Sequence, residues 1–204
     1  MTMHKSKKYC HHVIVFLLTA LVLTSLSCAK KKSLISTLID NYPNRIQMKK
    51  SKIKPDDGDS FRYDTLTIRI LGIDAPEIIH KEHGYFMDQP FGRAAAAMTQ
   101  EIIKKAKKVE YVPYRRDMYG RLLAHVFVDR ELLAEKLLRA GMAYETITRF
   151  GDNGFPDLAE YILEVAEDSP DPQFEPPWKW RQEHYNKSEG TEEQPSKVRS
   201  PGAT

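Results

Sequence analysis

The order of predicted elements indicates an α+β domain built on a small closed β-barrel. Three observations favour this fold class: extended runs begin the domain, an alanine-rich helical segment separates them from a hairpin, and two further helices close the domain. A curled sheet with helices packed on it lets both kinds of element bury their apolar faces in one core.

The first two strands are predicted at residues 60–63 and 65–73. The second run, TLTIRILGI, is rich in β-branched residues and alternates in the way that strands do. Successive side chains of a strand point to opposite faces of the sheet. One face therefore carries Leu66, Ile68 and Ile70, and the other carries Thr67, Arg69 and Leu71. The sequence thus predicts that Arg69 projects away from three aliphatic residues of the core.

The following elements are three helices and a hairpin. The segment Gly92–Lys108 contains strong helix formers with apolar residues at helical spacing. Val109–Tyr114 and Leu122–Val128 have the pattern of two strands joined by a turn. The segments Glu131–Ala140, which is followed by a glycine, and Asp157–Glu167 are predicted to be helices.

Residues 1–27 have the pattern of a signal peptide. Three lysines precede an uncharged run, VIVFLLTALVLTSLS, that is short for a membrane span. An uncleaved N-terminal anchor is the alternative interpretation. Either interpretation predicts that the folded part is exported.

Cys28 directly follows this segment and is the candidate lipidation site. Ser27-Cys28-Ala29 resembles the cleavage site of a bacterial lipoprotein, and three lysines then begin a polar tether predicted over residues 28–49. A lipid on Cys28 would anchor the protein to a membrane, facing the periplasm or the exterior. An ordinary signal peptide followed by an incidental cysteine is the alternative.

Composition defines the remaining boundaries. The folded domain is predicted over residues 50–185. Residues 186–204, NKSEGTEEQPSKVRSPGAT, contain almost no apolar side chains and are predicted to be a disordered tail.

Cysteine content and charge exclude several classes of protein. The only cysteines are Cys10 and Cys28, so the domain has no disulfide, no thiolate nucleophile and no cysteine-based zinc site. The net charge of +3 comes from the three lysines of the signal segment, which leaves the rest of the chain neutral. A strongly basic protein that coats DNA is therefore excluded.

An acidic turn precedes the first strand. It reads Asp57-Gly58-Asp59-Ser60, and Asp-Gly pairs are common in turns that carry no chemistry. Asp56 adds a third acid, which leaves the register of the turn open.

The second strand ends in a corner, Asp74-Ala75-Pro76-Glu77. Proline favours an extended backbone at Ala75 and leaves its carbonyl available. Carboxylate and carbonyl oxygens at such a corner can enter a calcium shell that waters complete. A solvated corner is the alternative. Arg69, five residues before Asp74, makes a phosphate-handling site the more specific interpretation, because a guanidinium group binds phosphate oxygens in pairs.

The predicted hairpin turn, DMYGR, supplies a second arginine. Gly120 tolerates a positive φ, and Arg121 follows it. An arginine after such a turn is usually a solvated edge residue. If Arg121 instead contacts phosphate, lysine would replace it poorly, because only the planar guanidinium donates to two oxygens at once.

These segments resemble, in the same order, the active-site segments of the staphylococcal nuclease (thermonuclease) family. The resemblance covers roughly residues 53–168. It implies a five-stranded OB-type β-barrel with about three α-helices. It also implies Ca²⁺ as the cofactor, held by Asp59, Asp74 and the backbone carbonyl of Ala75.

The same resemblance assigns the remaining roles. Arg69 would bind phosphate, Glu77 would orient or deprotonate water, and Arg121 would stabilise the pentacovalent phosphorane and the leaving oxygen. Tyr114 and Tyr85 are candidate substrate-binding residues, with packing of either ring as the alternative. The segment PPWKWR resembles the end of some bacterial members of the family and predicts a cap that packs back on the domain.

The resulting hypothesis is an exported, calcium-dependent, sugar-non-specific endonuclease of the thermonuclease type. It would hydrolyse DNA and RNA, preferring single-stranded or flexible substrates, and leave 3′-phosphate ends. No obligate protein partner is predicted. The alternative is a non-catalytic, surface-anchored module with an OB-fold that binds nucleic acid or protein.

Overall fold

The computed structural model describes residues 35–81 and 84–185. The predicted signal peptide, Cys28 and the predicted tail from residue 186 lie outside the described residues. Among the helices of the described part, none is long and apolar enough to cross a membrane.

Short strands form a main sheet and a small second sheet. In chain order the strands are Ile46–Gln47 (β1), Ile53–Pro55 (β2), Ser60–Tyr63 (β3), Leu66–Ile70 (β4), Ile73–Asp74 (β5), Val109–Arg116 (β6), Leu122–Val128 (β7), Glu131–Leu132 (β8) and Tyr144–Glu145 (β9). The main sheet has seven strands in the order β1-β6-β7-β4-β3-β2, with β8 paired to β7. Strands β5 and β9 pair separately.

The helices of the described part are interspersed with the strands along the chain. They are a helix that includes residues 35–40 (α1), Gly92–Lys105 (α2), Leu133–Arg139 (α3), Ile147–Phe150 (α4), Pro156–Glu167 (α5) and Pro177–His184 (α6). The α+β, OB-like fold class predicted from the sequence is confirmed: a curled sheet carries several helices around one core.

The element counts differ from the prediction. The main sheet has seven strands rather than five, because β1, β2 and β8 are only two or three residues long and too short to show alternation. Helices α1, α4 and α6 add to the three that were predicted. The predicted strand at residues 65–73 divides into β4 and β5, because Gly72 adopts a left-handed φ of 86° between them.

The first helix corrects the predicted tether over residues 28–49. Ile35 and Ile39 are 1% and 0% exposed and belong to the same core as the barrel strands. Met48 is also buried, and its amide donates to the Val109 carbonyl at 2.8 Å. Residues 35–49 are therefore part of the folded domain, and only residues 28–34 of the predicted tether lie outside the described residues.

Strand pairing brings the two acidic segments together. Strands β3 and β4 are antiparallel, and their register places Ser60 opposite Arg69. The turn that begins at Asp57 therefore lies beside the end of β4. Strand β4 also runs parallel to β7, where Arg69 is paired with Leu123. The site residues thus gather where three strands meet.

Two glycines let the backbone approach closely around this corner. A Cβ atom on Gly58 would lie 2.6 Å from the Cβ of Ala75 and 2.8 Å from that of Ala95 in α2. A Cβ on Gly92 would lie 2.1 Å from the Glu77 carbonyl oxygen. The acidic turn, the corner and the start of α2 are therefore packed at distances that only glycine permits.

Candidate active site

Arg69 joins the two carboxylates among the three predicted calcium ligands. One guanidinium nitrogen, Nη1, donates to Asp59 Oδ1, and the other, Nη2, donates to Asp74 Oδ1 at 2.6 Å. The second oxygen of Asp59, Oδ2, accepts the amide of Ala75 at 2.5 Å. The structure therefore brings together four predicted site residues, Asp59, Arg69, Asp74 and Ala75.

The register of the acidic turn is settled by Asp57. Its Oδ1 accepts the amides of Asp59 at 3.1 Å and Ser60 at 2.6 Å, which closes an Asx turn. Thr99 of α2 is fully buried, and its hydroxyl donates to the Gly58 carbonyl at 2.6 Å. Asp57 thus shapes the turn, and Asp59 is the residue that faces Arg69.

Gln89 fixes the backbone of Glu77. The Glu77 amide donates to Gln89 Oε1 at 3.1 Å, and the Gln89 amide donates to the Glu77 carbonyl at 2.9 Å. The side-chain nitrogen of Gln89, Nε2, donates to the Glu175 carbonyl at 2.5 Å. Sequence analysis missed Gln89, which links the predicted catalytic corner to the segment before α6.

Arg181 of α6 is a second residue that sequence analysis missed. Its Nη1 donates to Glu77 Oε1 at 2.5 Å and to Asp74 Oδ1 at 3.1 Å, and its Nη2 donates to Asp74 Oδ2 at 2.7 Å. The segment PPWKWR was predicted to pack back on the domain, and the burial of Trp180 confirms that contact. The arginine directly after that tryptophan was the available signal.

Burial and nearby arginines shift the pKa values of the acidic groups in different directions. Burial raises the pKa of Glu77, and Arg181 opposes that rise. Burial also raises the pKa of Asp59 against the attraction of Arg69. For Asp74, burial acts to raise the pKa, but Arg69 and Arg181 outweigh it and the pKa is lowered. Asp59 and Glu77 are therefore the carboxylates that a further cation would stabilise most.

The donor set fits a hard divalent cation such as Ca²⁺. Asp57, Asp59, Asp74 and Glu77 are all buried, and in the part of the chain that the structure describes the guanidinium groups of Arg69 and Arg181 face them. When all four acids are ionised, a surplus of negative charge remains that one divalent cation would balance. The oxygen ligands that the resemblance implies are those of Asp59, Asp74 and the Ala75 carbonyl, and both carboxylates also accept hydrogen bonds from Arg69.

The guanidinium groups also keep the acids apart. Among the residues described, no three His, Cys, Asp or Glu side chains lie at metal-ligand spacing. Arg69 stands between Asp59 and Asp74, and Arg181 stands between Asp74 and Glu77. A calcium shell here would thus rest on few side-chain ligands, with waters completing it.

Arg121 lies at the same end of the sheet but outside this cluster. Its Nε donates to Asp117 Oδ2 at 2.8 Å, and its guanidinium lies 5.4 Å from the centre of the Tyr119 ring. Arg121 stands two residues before Leu123, the register partner of Arg69. Its side chain is 32% exposed, so it can turn toward a ligand once it leaves Asp117.

The two predicted substrate-binding tyrosines have different surroundings. The ring of Tyr85 lies 5.9 Å from Trp180 and 6.0 Å from Tyr185, which places it beside α6. Burial and the nearby Glu77 raise the pKa of Tyr85. Tyr114 is 40% exposed on the hairpin, where its ring packs edge-on against Phe155. Tyr85 borders the acidic corner, and Tyr114 belongs to an exposed surface.

The fold and this site define a class: an OB-like α+β domain with a corner of carboxylates and guanidinium groups. Residues 67–161 match the family model described as Staphylococcal nuclease homologue. The central part of this chain, residues 67–161, is therefore similar to the staphylococcal nuclease family.

Curated relatives agree with that assignment. The chain is 34% identical over 77 residues to the thermonuclease of Staphylococcus hyicus, covering 37% of this chain and 44% of the relative. It is 38% identical over 104 residues to a probable endonuclease lcl3 of Botryotinia fuckeliana, covering 47% of this chain and 38% of the relative. The chain thus spans less than half the length of these relatives.

Proposed function

We propose that this protein is a nuclease that hydrolyses phosphodiester bonds in DNA and RNA. The observation that carries the proposal is the bridge that Arg69 makes between Asp59 and Asp74, with the Glu77 side chain held beside Asp74 by Arg181. Phosphodiester hydrolysis needs donors for the phosphate oxygens and a carboxylate that can orient a water. Relatives named thermonuclease and probable endonuclease support the same reaction class.

We further propose that the nuclease requires calcium. Asp59, Asp74 and the Ala75 carbonyl would hold the ion, which when bound supplies Lewis-acid polarisation of a phosphate oxygen. The chain's own residues do the rest. Arg69 and Arg121 donate to the non-bridging phosphate oxygens, and Glu77 holds the attacking water in line with the leaving oxygen.

The product and the substrate range complete the proposal. Hydrolysis of the bond between phosphorus and the 5′ oxygen would leave 3′-phosphate ends. Tyr85 borders the acidic corner and Tyr114 is exposed, so either ring could stack on a base. Stacking tolerates any base and either sugar, which suits a sugar-non-specific endonuclease acting on single-stranded or flexible strands.

The decisive experiment measures cleavage of labelled single-stranded DNA and RNA by the full chain, with calcium and with calcium chelated. We expect cleavage that needs calcium and falls by about 100-fold or more in Glu77→Gln, because that change removes the base but keeps the shape. Glu167→Gln, an exposed glutamate at the end of α5, is the matched control and should cleave like wild type. Folded wild-type protein that cleaves neither substrate would refute the proposal.

A non-catalytic nucleic-acid or protein-binding module is the second candidate function. It is favoured by the pairing of the carboxylates with Arg69 and Arg181, because these ion pairs already give Asp59, Asp74 and Glu77 charged hydrogen-bond donors. The same samples test it by fluorescence anisotropy. Binding of labelled single-stranded DNA without turnover, unchanged in Glu77→Gln, would support the module.

We also propose that the protein is exported and anchored by a lipid on Cys28. The basic and apolar pattern of residues 1–27 and the Ser27-Cys28-Ala29 sequence support this proposal. Membrane fractionation of a bacterial host with radiolabelled palmitate tests it. We expect label and membrane association that Cys28→Ala removes and that Cys10→Ala leaves intact; unlabelled wild-type protein would refute the anchor.

A further inference from the structure

We propose that Arg181 is a positioning residue of the active site, which bridges Glu77 and Asp74 and so sets the orientation of the Glu77 carboxylate. This inference rests on the proposed nuclease function, because it assigns a role within that reaction. It makes the C-terminal helix α6 a functional part of the nuclease domain.

The bridge uses the planar shape of the guanidinium group. Nη1 contacts Glu77 at 2.5 Å and Asp74 at 3.1 Å, and Nη2 contacts the other oxygen of Asp74 at 2.7 Å. Donors in a fixed plane hold the two carboxylates at a defined separation and angle. A lysine in the same place would supply charge without that geometry.

The bridge leaves the reactive side of Glu77 available. The bond from Arg181 falls on Oε1 of Glu77 and therefore does not occupy Oε2. A carboxylate offers about four acceptor positions, so Oε2 keeps its capacity to accept a proton or orient a water. The Glu77 side chain is 10% exposed, which limits the other orientations it can adopt.

Packing and hydrogen bonds around α6 hold Arg181 in place. Trp180 is 4% exposed and stacks on His184 with ring centres 4.5 Å apart. The segment before α6 is tied to the corner by the bond from Gln89 to the Glu175 carbonyl. The Arg181 side chain is 28% exposed, so part of it remains accessible to solvent.

The test compares Arg181→Gln and Arg181→Lys with wild type in the full chain. We expect kcat to fall by about 10- to 100-fold in Arg181→Gln with KM changed less than about threefold, because the base is misplaced while substrate contacts remain. Arg181→Lys should stay at least about fivefold below wild type in kcat. Lys179→Gln, on the exposed side of α6, is the matched control and should match wild type.

Several outcomes would overturn the role of Arg181. Full activity in Arg181→Lys would reduce it to a simple counter-charge. Faster cleavage by Arg181→Gln would make α6 an inhibitory contact. Limited proteolysis monitors whether α6 stays attached to the domain. If the Arg181 variants lose activity only to the extent that α6 detaches, the role of the residue is merely structural.

A stability cycle provides a readout that does not depend on activity. The shifts in Tm of Arg181→Gln, Glu77→Gln and the double variant should be non-additive, because the two residues are in contact. If the Tm shifts are non-additive but the wild-type chain cleaves neither substrate, the nuclease proposal alone is refuted. Additive shifts in an active nuclease would refute the role of Arg181 alone.

Discussion

The Nη2 atom of Arg69 lies 2.6 Å from Oδ1 of Asp74, so the predicted phosphate-binding arginine directly contacts a predicted calcium ligand. The same guanidinium contacts Asp59 through Nη1. Arg69 therefore donates to both carboxylates at once and offsets part of their combined negative charge. A phosphate group entering this corner would compete with them for the same donors, and a cation would compensate the carboxylates.

The first prediction concerns Arg69→Lys. Nuclease activity should fall by about 100-fold, because lysine cannot donate to two phosphate oxygens in one plane. The free energy of unfolding should fall by about 1–3 kcal/mol, because a buried acceptor on Asp59 or Asp74 loses its donor. Turnover assays and urea titrations measure the two effects.

The control for Arg69→Lys is Arg62→Lys, on an exposed position of the neighbouring strand β3. This variant should keep wild-type activity and stability. Equal losses in the two variants would show that the corner has no special need for Arg69.

The second prediction concerns Gly58→Ala. The added methyl group would lie 2.6 Å from Ala75 Cβ and 2.8 Å from Ala95 Cβ, so the acidic turn must move away from the corner. We expect a loss of about 1–3 kcal/mol in stability and a clear fall in nuclease activity. Denaturant titration and turnover on the same sample check both.

A compensating change makes the Gly58 prediction specific. Ala75→Gly removes the nearer methyl group but keeps the backbone carbonyl, so the double variant should recover part of the lost stability. A double variant no more stable than Gly58→Ala would contradict the steric explanation.

The third prediction concerns the first helix. Ile39→Ala should lower the free energy of unfolding by about 2–5 kcal/mol, because Ile39 is fully buried in the shared core. Thr37→Ala, an exposed position in the same helix, should change it by less than about 0.5 kcal/mol. If this segment were an unpacked tether, the two variants would have the same free energy of unfolding.

The fourth prediction is a pH dependence of stability that depends on His125. Burial lowers the pKa of His125 to about 4 although the nearby Asp157 carboxylate acts to raise it. The unfolded chain binds a proton near pH 6.5 and the folded chain only near pH 4. The contribution of neutral His125 to the free energy of unfolding is therefore fully present above pH 6.5. It is lost as the pH falls toward 4, by up to about 3 kcal/mol.

Denaturant titrations between pH 4 and pH 8 measure this dependence. His125→Leu should remove that part of the slope, because leucine has similar bulk and does not titrate. Val112→Ala, a change at the strand partner of His125 that alters no titratable group, should leave the slope unchanged. A wild-type slope that persists in His125→Leu would assign the dependence to other groups.

Sequence analysis succeeded where the chemistry is local. Arg69, Asp74 and Glu77 lie within nine residues of one another, so one short segment was enough to predict that they lie near one corner, and the family resemblance supplied their expected roles. It was less successful where structure depends on distant packing. Ile35 and Ile39 lie in a lysine-bearing stretch with too few apolar residues to show periodicity, and their burial depends on residues far along the chain.

The sequence by itself determined the α+β class, the predicted strands and helices that form the barrel core, and the residues of the acidic corner. Only the tertiary structure decided which carboxylates pair with which guanidinium groups. Arg181 reaches Asp74 across 107 positions of sequence. That contact arises because Trp180 is buried and Gln89 binds the segment before α6, and no periodicity near residue 181 encodes either interaction.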